Sequence, residues 1–181
     1  RDMSTVEQAT LGGGCFWWLD AIYRQLRGVE SVESGYAGGH TKQPDYESVC
    51  QGDTGHAEVV RLQFQPDIIS FEQILEIFFA IHDPTTLNRQ GHDVGLQYRS
   101  VIFFHDEQQR QLAQAVMNRL AAAEVFDAPI VTELANLTSY YKAEDYHQDY
   151  YANNPAQGYC AFVVGPKVAK FRNRFLELLK D

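Results

Sequence analysis

Gly12-Gly13-Gly14-Cys15-Phe16-Trp17-Trp18 joins a strand-like run, Glu7 to Leu11, to a helix-like run that ends at Leu26. In the second run Phe16, Leu19, Ile22, Tyr23 and Leu26 recur at i, i+3, i+4 spacing. The heptapeptide therefore reads as the turn of a β–α unit, with Cys15 at the N-terminus of a helix. Unpaired backbone N–H groups and the positive end of the helix dipole gather there and favour an anion. A cysteine so placed gives up its proton more readily and becomes a nucleophile. The glycines allow a tight turn and leave the sulfur approachable. Three aromatic rings follow at once, and a purely structural turn has no use for them. They read as the wall of a small apolar pocket. Two other readings compete. A free cysteine is often a small buried hydrophobe, and a glycine run can cradle a phosphate. The phosphate reading fits poorly, because Trp17 stands where the third glycine of G-x-G-x-x-G belongs.

Working outward, Val29 to Tyr36 and Glu58 to Phe64 read as strands; in the second, Val60, Leu62 and Phe64 alternate against Arg61 and Gln63. Ser70 and Gln73 form a capping box for a helix that runs to Ile81 and is stopped by Pro84. Ser100 to His105 reads as a further strand. The order β-α-β-β-α-β is that of the ferredoxin-like split βαβ fold: an α+β two-layer sandwich, with a sheet and both helices on one face. Later elements extend or flank it. They are a helix capped by Asp106 and Gln109 and reaching Glu124, a strand from Ile130 to Leu134, a helix candidate from Ala143 to Asn153, and a terminal helix from Pro166 to Lys180. The chain is expected to be one catalytic domain, with 154–181 a mobile tail. Two long loops, Gly38 to Gly55 and Asp83 to Tyr98, carry what is specific.

The 181 residues carry a net charge of −9, which argues against a nucleic-acid partner. No apolar run approaches the roughly 18 residues of a membrane helix. Arg1-Asp2 before Met3 reads as a cloning scar, with no signal peptide ahead of the first strand. Three cysteines without C-x-x-C spacing suit neither a disulfide framework nor a zinc site. The six histidines lack metal-ligand spacing, so no metal is expected. A cytoplasmic monomer is the default.

Other residues could do chemistry. Glu58 opens an apolar strand; if desolvated there, it would hold a proton near neutral pH and could donate it. A solvated strand-end glutamate is the plainer alternative. Tyr98 sits where the second loop enters a strand, and Asp93 lies between Gly91 and Gly95. Cys160 lies in a glycine-containing connector that could swing towards another thiol, or else begins a buried strand with Ala161 to Val164. Cys50 reads as a bystander. Two further functional classes remain open on these residues. One is a cysteine hydrolase or acyltransferase with His56 or His147 as base. The other is an aromatic binding module using Tyr140 to Tyr151.

Together the blocks resemble one family, the A-type peptide methionine sulfoxide reductases. Gly14-Cys15-Phe16-Trp17 is similar to its catalytic motif. Gly35 to Gly39, Pro44-Asp45-Tyr46, Gly55 to Val59, Asp93-Val94-Gly95, Gln97 to Ser100, Ala143 to Gln148 and Gly158-Tyr159-Cys160 are similar to its other blocks, in order. The resemblance implies that Cys15 attacks the sulfur of S-methionine sulfoxide, free or in oxidised proteins, while Phe16 and Trp17 hold the methyl group. It implies that Glu58 protonates the oxygen, aided by Tyr46 and Tyr98, and that Asp93 positions the substrate. Cys160 would convert the resulting sulfenic acid into a Cys15–Cys160 disulfide for thioredoxin to reduce, with no cofactor. The chain departs from the family pattern at Trp18, where relatives carry a small residue or a second cysteine, at Asp20, where glutamate is usual, and at Leu96.

Overall fold

The computed structural model describes residues 5–181. In chain order it contains β1 (Glu7–Gly13), α1 (Phe16–Tyr23), β2 (Val29–Ala37), α2 (Tyr46–Cys50), β3 (Ala57–Phe64), α3 (Phe71–Ile81), β4 (Arg89–Gln90), β5 (Asp93–Val94), β6 (Ser100–Phe104), α4 (Glu107–Ala122), β7 (Glu133–Asn136), β8 (Tyr140–Lys142), α5 (Tyr150–Asn153) and α6 (Gly165–Arg174). The main sheet runs β7-β6-β1-β3-β2-β8. Its inner four strands pair antiparallel throughout. β1 and β2 are thus parallel to each other, with α1 crossing between them and β3 inserted in the gap. This is the expected split βαβ arrangement, and it places the turn after β1 beside the start of β3. β7 extends the sheet parallel to β6, and β8 extends it antiparallel to β2.

Period-2 alternation along β3 decides which side chains meet the helices. Val60, Leu62 and Phe64 join the main core with Leu19, Ile22, Phe78 and Val116. Ala57 and Val59 face the other way, towards Val101 and Phe103. Glu58 shares the parity of Val60, so its carboxyl is turned into the helix layer, where it is 1% exposed. Gly12 permits the close approach this needs. A Cβ there would lie 2.9 Å from both the Glu58 carbonyl oxygen and Val101 Cγ1.

Several elements differ from the sequence expectation. α1 stops at Tyr23, three residues early, because Leu26 leaves it to bridge Leu179. The first long loop contains α2, closed by an Asp45–Ser48 capping box. The second contains the β4–β5 hairpin and a 3-10 turn, Leu96–Tyr98. The strand expected at Ile130–Leu134 lies at Glu133–Asn136, in register with Val101–Phe104. Ala143 to Asn153 is not one helix: Asp149, at φ 53°, separates a 3-10 turn from α5. The segment after Gly158 is neither a connector nor a strand. Cys160–Val164 is a π-helical turn running into α6, and Val164, Val168 and Phe171 are buried against the core.

Gly12→Ala is expected to destabilise the protein by about 1–3 kcal/mol through overpacking against β3 backbone. Urea unfolding of the two proteins measures the shift in midpoint.

Candidate active site

Gly14, at φ +116°, turns the chain from β1 into α1. Cys15 is the N-cap, and its side chain makes no capping hydrogen bond. Cys15 is 7% exposed. Burial pushes its thiol well above the usual range. The nearby Glu58 carboxyl adds to that, and the Trp17 backbone N–H only partly opposes it. The sequence expectation of an acidified thiol is thus corrected: the helix N-terminus supplies its N–H, but burial outweighs it.

Glu58 lies under the first turn of α1. Its Oε1 accepts the Phe16 backbone N–H at 3.1 Å. Its Oε2 is buried and has no hydrogen-bond partner among the described residues. Burial raises its pKa to about 8, against the lowering effect of the Phe16 N–H. At neutral pH the carboxyl is mostly protonated, with one oxygen unengaged.

The other expected residues converge on this pair. Tyr46, the first residue of α2, and Tyr98, closing its 3-10 turn, both sit near Glu58 and Cys15. Burial first, then those charges, push both phenols up. Asp93 arrives through a residue that the sequence reading left without a role. Tyr159 donates to Asp93 Oδ2 at 2.5 Å, and its hydroxyl also meets the Cys15 sulfur. Trp17 is half-buried and stacks on Tyr150 at 3.8 Å between centroids and 7° between planes. Its ring lies 6.5 Å from that of Tyr46 and meets Tyr159 edge-on. Phe16 is fully buried between Tyr36 and His147. It therefore backs the pocket rather than facing it.

Polar side chains hold this aromatic wall. The Trp17 indole donates to His147 Nδ1 at 2.8 Å. Burial lowers the His147 pKa to about 4, so the ring stays neutral with its proton on Nε2. Glu144 accepts from the Tyr36 hydroxyl and the Tyr46 N–H, both at 2.8 Å. Asp20, fully buried, accepts from Arg24 at 2.9 Å and from the Asp149 N–H at 2.8 Å, which sets the residue before Tyr150. Burial raises its pKa to about 6, although Arg24 pulls it down.

The histidines do not serve Cys15. His56 is engaged by the Gly39 N–H and the Thr41 carbonyl, and His147 by Trp17. No histidine is among the groups that shift the Cys15 thiol. Cys160 is fully buried and carries a free thiol, as do Cys15 and Cys50. Cys50 is less remote than its sequence context indicated, since the Tyr46 hydroxyl hydrogen-bonds its sulfur. Neighbouring residues could not have signalled this, because the contact depends on α2, which the sequence reading missed. Among the described residues no cluster of ligands could hold a metal.

Residues 7–178 match the family model described as peptide methionine sulfoxide reductase. The chain belongs to that family. It is similar to the peptide methionine sulfoxide reductase MsrA of Chromobacterium violaceum, at 56% identity over 97% of this chain and 100% of that protein. Among solved structures it is similar to reduced Mxr1 from Saccharomyces cerevisiae, at TM-score 0.80 and 34% identity over 88% and 91% of the two chains. It is also similar to methionine sulfoxide reductase A of Corynebacterium diphtheriae, at TM-score 0.77 and 36% identity over 87% and 78%. Like its relatives, this reductase is an α+β protein whose thiol chemistry reduces methionine sulfoxide.

The raised pKa of Glu58 has a definite consequence for stability. Between an unfolded value near 4.5 and the folded value of about 8, the native state holds a proton that the unfolded state lacks. Glu58 therefore makes stability fall as pH rises through that window. Urea unfolding from pH 5 to 9 is expected to show this decline. In Glu58→Gln that component is absent, so the difference curve between the two proteins slopes across the same interval.

Proposed function

We propose that this reductase acts on the S epimer of methionine sulfoxide, in oxidised proteins or free, with Cys15 as nucleophile, Glu58 as general acid and Cys160 as resolving thiol. The observation that carries the assignment is a buried, mostly protonated carboxyl beside a buried thiol, with its Oε2 unengaged. Sulfoxide oxygen leaves only when protonated, and Glu58 can supply that proton. The Cys15 proton passes towards Asp93 along the Tyr159 hydroxyl, and the sulfur attacks the substrate sulfur. The Glu58 proton goes to the oxygen; the new S–S bond and the substrate's S–O bond then both break as the hydroxyl passes from the substrate sulfur to Sγ of Cys15, giving a sulfenic acid. Methionine leaves, its sulfur reduced by two electrons, and Glu58 recovers the proton through solvent. Tyr46 and Tyr98 hydrogen-bond the oxygen. Trp17 forms the apolar wall for the methyl group, backed by Phe16, and Asp93 orients the substrate through Tyr159.

Cys160 then attacks Sγ of Cys15 and releases water, forming the disulfide. For this step Cys160, buried at the start of its helical turn in the same core cluster as Cys15, must bring its sulfur to Sγ of Cys15. A protein dithiol, thioredoxin, reduces the disulfide; yeast Mxr1 has been solved in complex with Trx2. Three free thiols suit a reducing cytoplasm.

Cys15→Ser is expected to abolish reduction of S-methionine sulfoxide. Cys160→Ser should release about one methionine per enzyme, leave a sulfenic acid that dimedone traps on Cys15, and fail to recycle with thioredoxin. Wild-type single-turnover rate should fall as pH rises through about 8. Glu58→Gln should lose about 10²–10⁴-fold together with that pH limb. Intact-mass spectrometry and stopped-flow fluorescence of Trp17 read these outcomes; normal turnover by Cys15→Ser would sink the assignment.

A further inference from the structure

The last helix differs in charge from the rest of the molecule. α6 carries Lys167, Lys170, Arg172 and Arg174 and no acidic residue, in a chain of net charge −9. Among the described residues none of these four forms an ion pair. Lys167 lies over the Trp18 ring at 4.5 Å, Arg172 bonds the Gln25 side chain, and Arg174 lies over Phe175. Lys170 and Arg174 rim an apolar groove of about 240 Å³ between α6, with Pro166 and Phe171, and the end of α3, with Ala80 and Ile81. The same helical run begins at Cys160, and two residues on, Phe162 is 83% exposed. Phe162, Pro166, Lys170 and Arg174 recur every four residues, which puts them on one broad face of the run. An exposed phenylalanine on the same face as an apolar groove adds to the apolar area a partner could cover, and unpaired cations on one face attract a surface of opposite sign.

We propose that Phe162 and the cationic face of α6 form the docking surface for the dithiol protein that reduces the Cys15–Cys160 disulfide, and that this partner is a thioredoxin whose contact surface is apolar around its dithiol and acidic beyond it. The inference rests on the recycling reading above. The partner delivers a thiolate to Sγ of Cys160, the resolving thiol, which lies two residues from the exposed Phe162 ring. The attack forms a mixed disulfide to Cys160 and frees the Cys15 thiol. The partner's second thiol then displaces Cys160. Two electrons and two protons pass to the enzyme, and the partner leaves as a disulfide.

The test compares two reductants on the full-length chain. Phe162→Ala and the double variant Lys170→Glu/Arg174→Glu change exposed side chains, and thermal melts report whether each variant is folded. With dithiothreitol, which needs no docking surface, both should turn over S-methionine sulfoxide at the wild-type rate. With thioredoxin, each should raise KM about tenfold or more, and wild-type KM should rise between 50 and 300 mM NaCl while that of the charge-reversed variant does not. Mixed-disulfide formation between the oxidised enzyme and a thioredoxin lacking its second cysteine should slow in parallel. An unchanged thioredoxin KM in folded variants overturns the docking surface and leaves the recycling reading intact. Absence of dithiothreitol-driven turnover by the wild type overturns the reductase mechanism itself, and the proposal with it.

Discussion

The Phe16 backbone N–H, donated to Glu58 Oε1 at 3.1 Å, joins β3 to the first turn of α1. It is a modest bond, but it links the two groups on which the site is built. Cys15 precedes the donor by one residue, and the acceptor is the carboxyl itself. Placing that carboxyl in the helix layer has an energetic cost, visible in its pKa of about 8. The surrounding apolar burial offsets it. Removal of water is what keeps the acid protonated, so the fold's destabilising feature is also the one the proposed chemistry uses.

The segment Glu144 to Tyr150 closes the site, and side chains fasten it to three separate elements. Glu144 takes up hydrogen bonds from Tyr36 on β2 and from the start of α2. The Gln148 amide accepts from Ser34 N–H at 2.8 Å and donates to Ser34 O at 3.0 Å. It thus continues, one residue beyond β8, the pairing a neighbouring strand would have made. Asp20 reaches from α1 to the Asp149 N–H. With these anchors fixed, His147 and Tyr150 hold the Trp17 ring by its edge and its face.

Much of this was legible in the sequence, for identifiable reasons. β3 alternates, β1, β2 and β6 are short runs bounded by turn and helix signals, and α3 and α4 have capping residues, so the split βαβ order could be read directly. Cys15 and Glu58 were legible because they sit at element boundaries, where the neighbouring pattern says which way they point. Short elements were not. α2 has five residues and β8 three, too few for a period to register. Tyr159 carries no signal of its own in the sequence, since its placement depends on a helical turn that aims its hydroxyl at Cys15 and Asp93. The state of the Cys15 thiol is not legible in the sequence, because local helix electrostatics are visible there whereas the burial that overrides them is a property of the assembled fold.

The unengaged oxygen of Glu58 bears on how the enzyme lets go of what it makes. In the proposed reaction, bound sulfoxide gives the buried Oε2–H an acceptor, and methionine, having lost that oxygen, gives it none. A desolvated donor left without a partner costs about 1–3 kcal/mol. Sulfoxide and thioether are otherwise close in shape, so the affinity difference between them rests on that hydrogen bond together with those of Tyr46 and Tyr98 to the same oxygen. The proposed acid, once it has recovered its proton, then disfavours the product, so turnover can continue where methionine outnumbers its oxide.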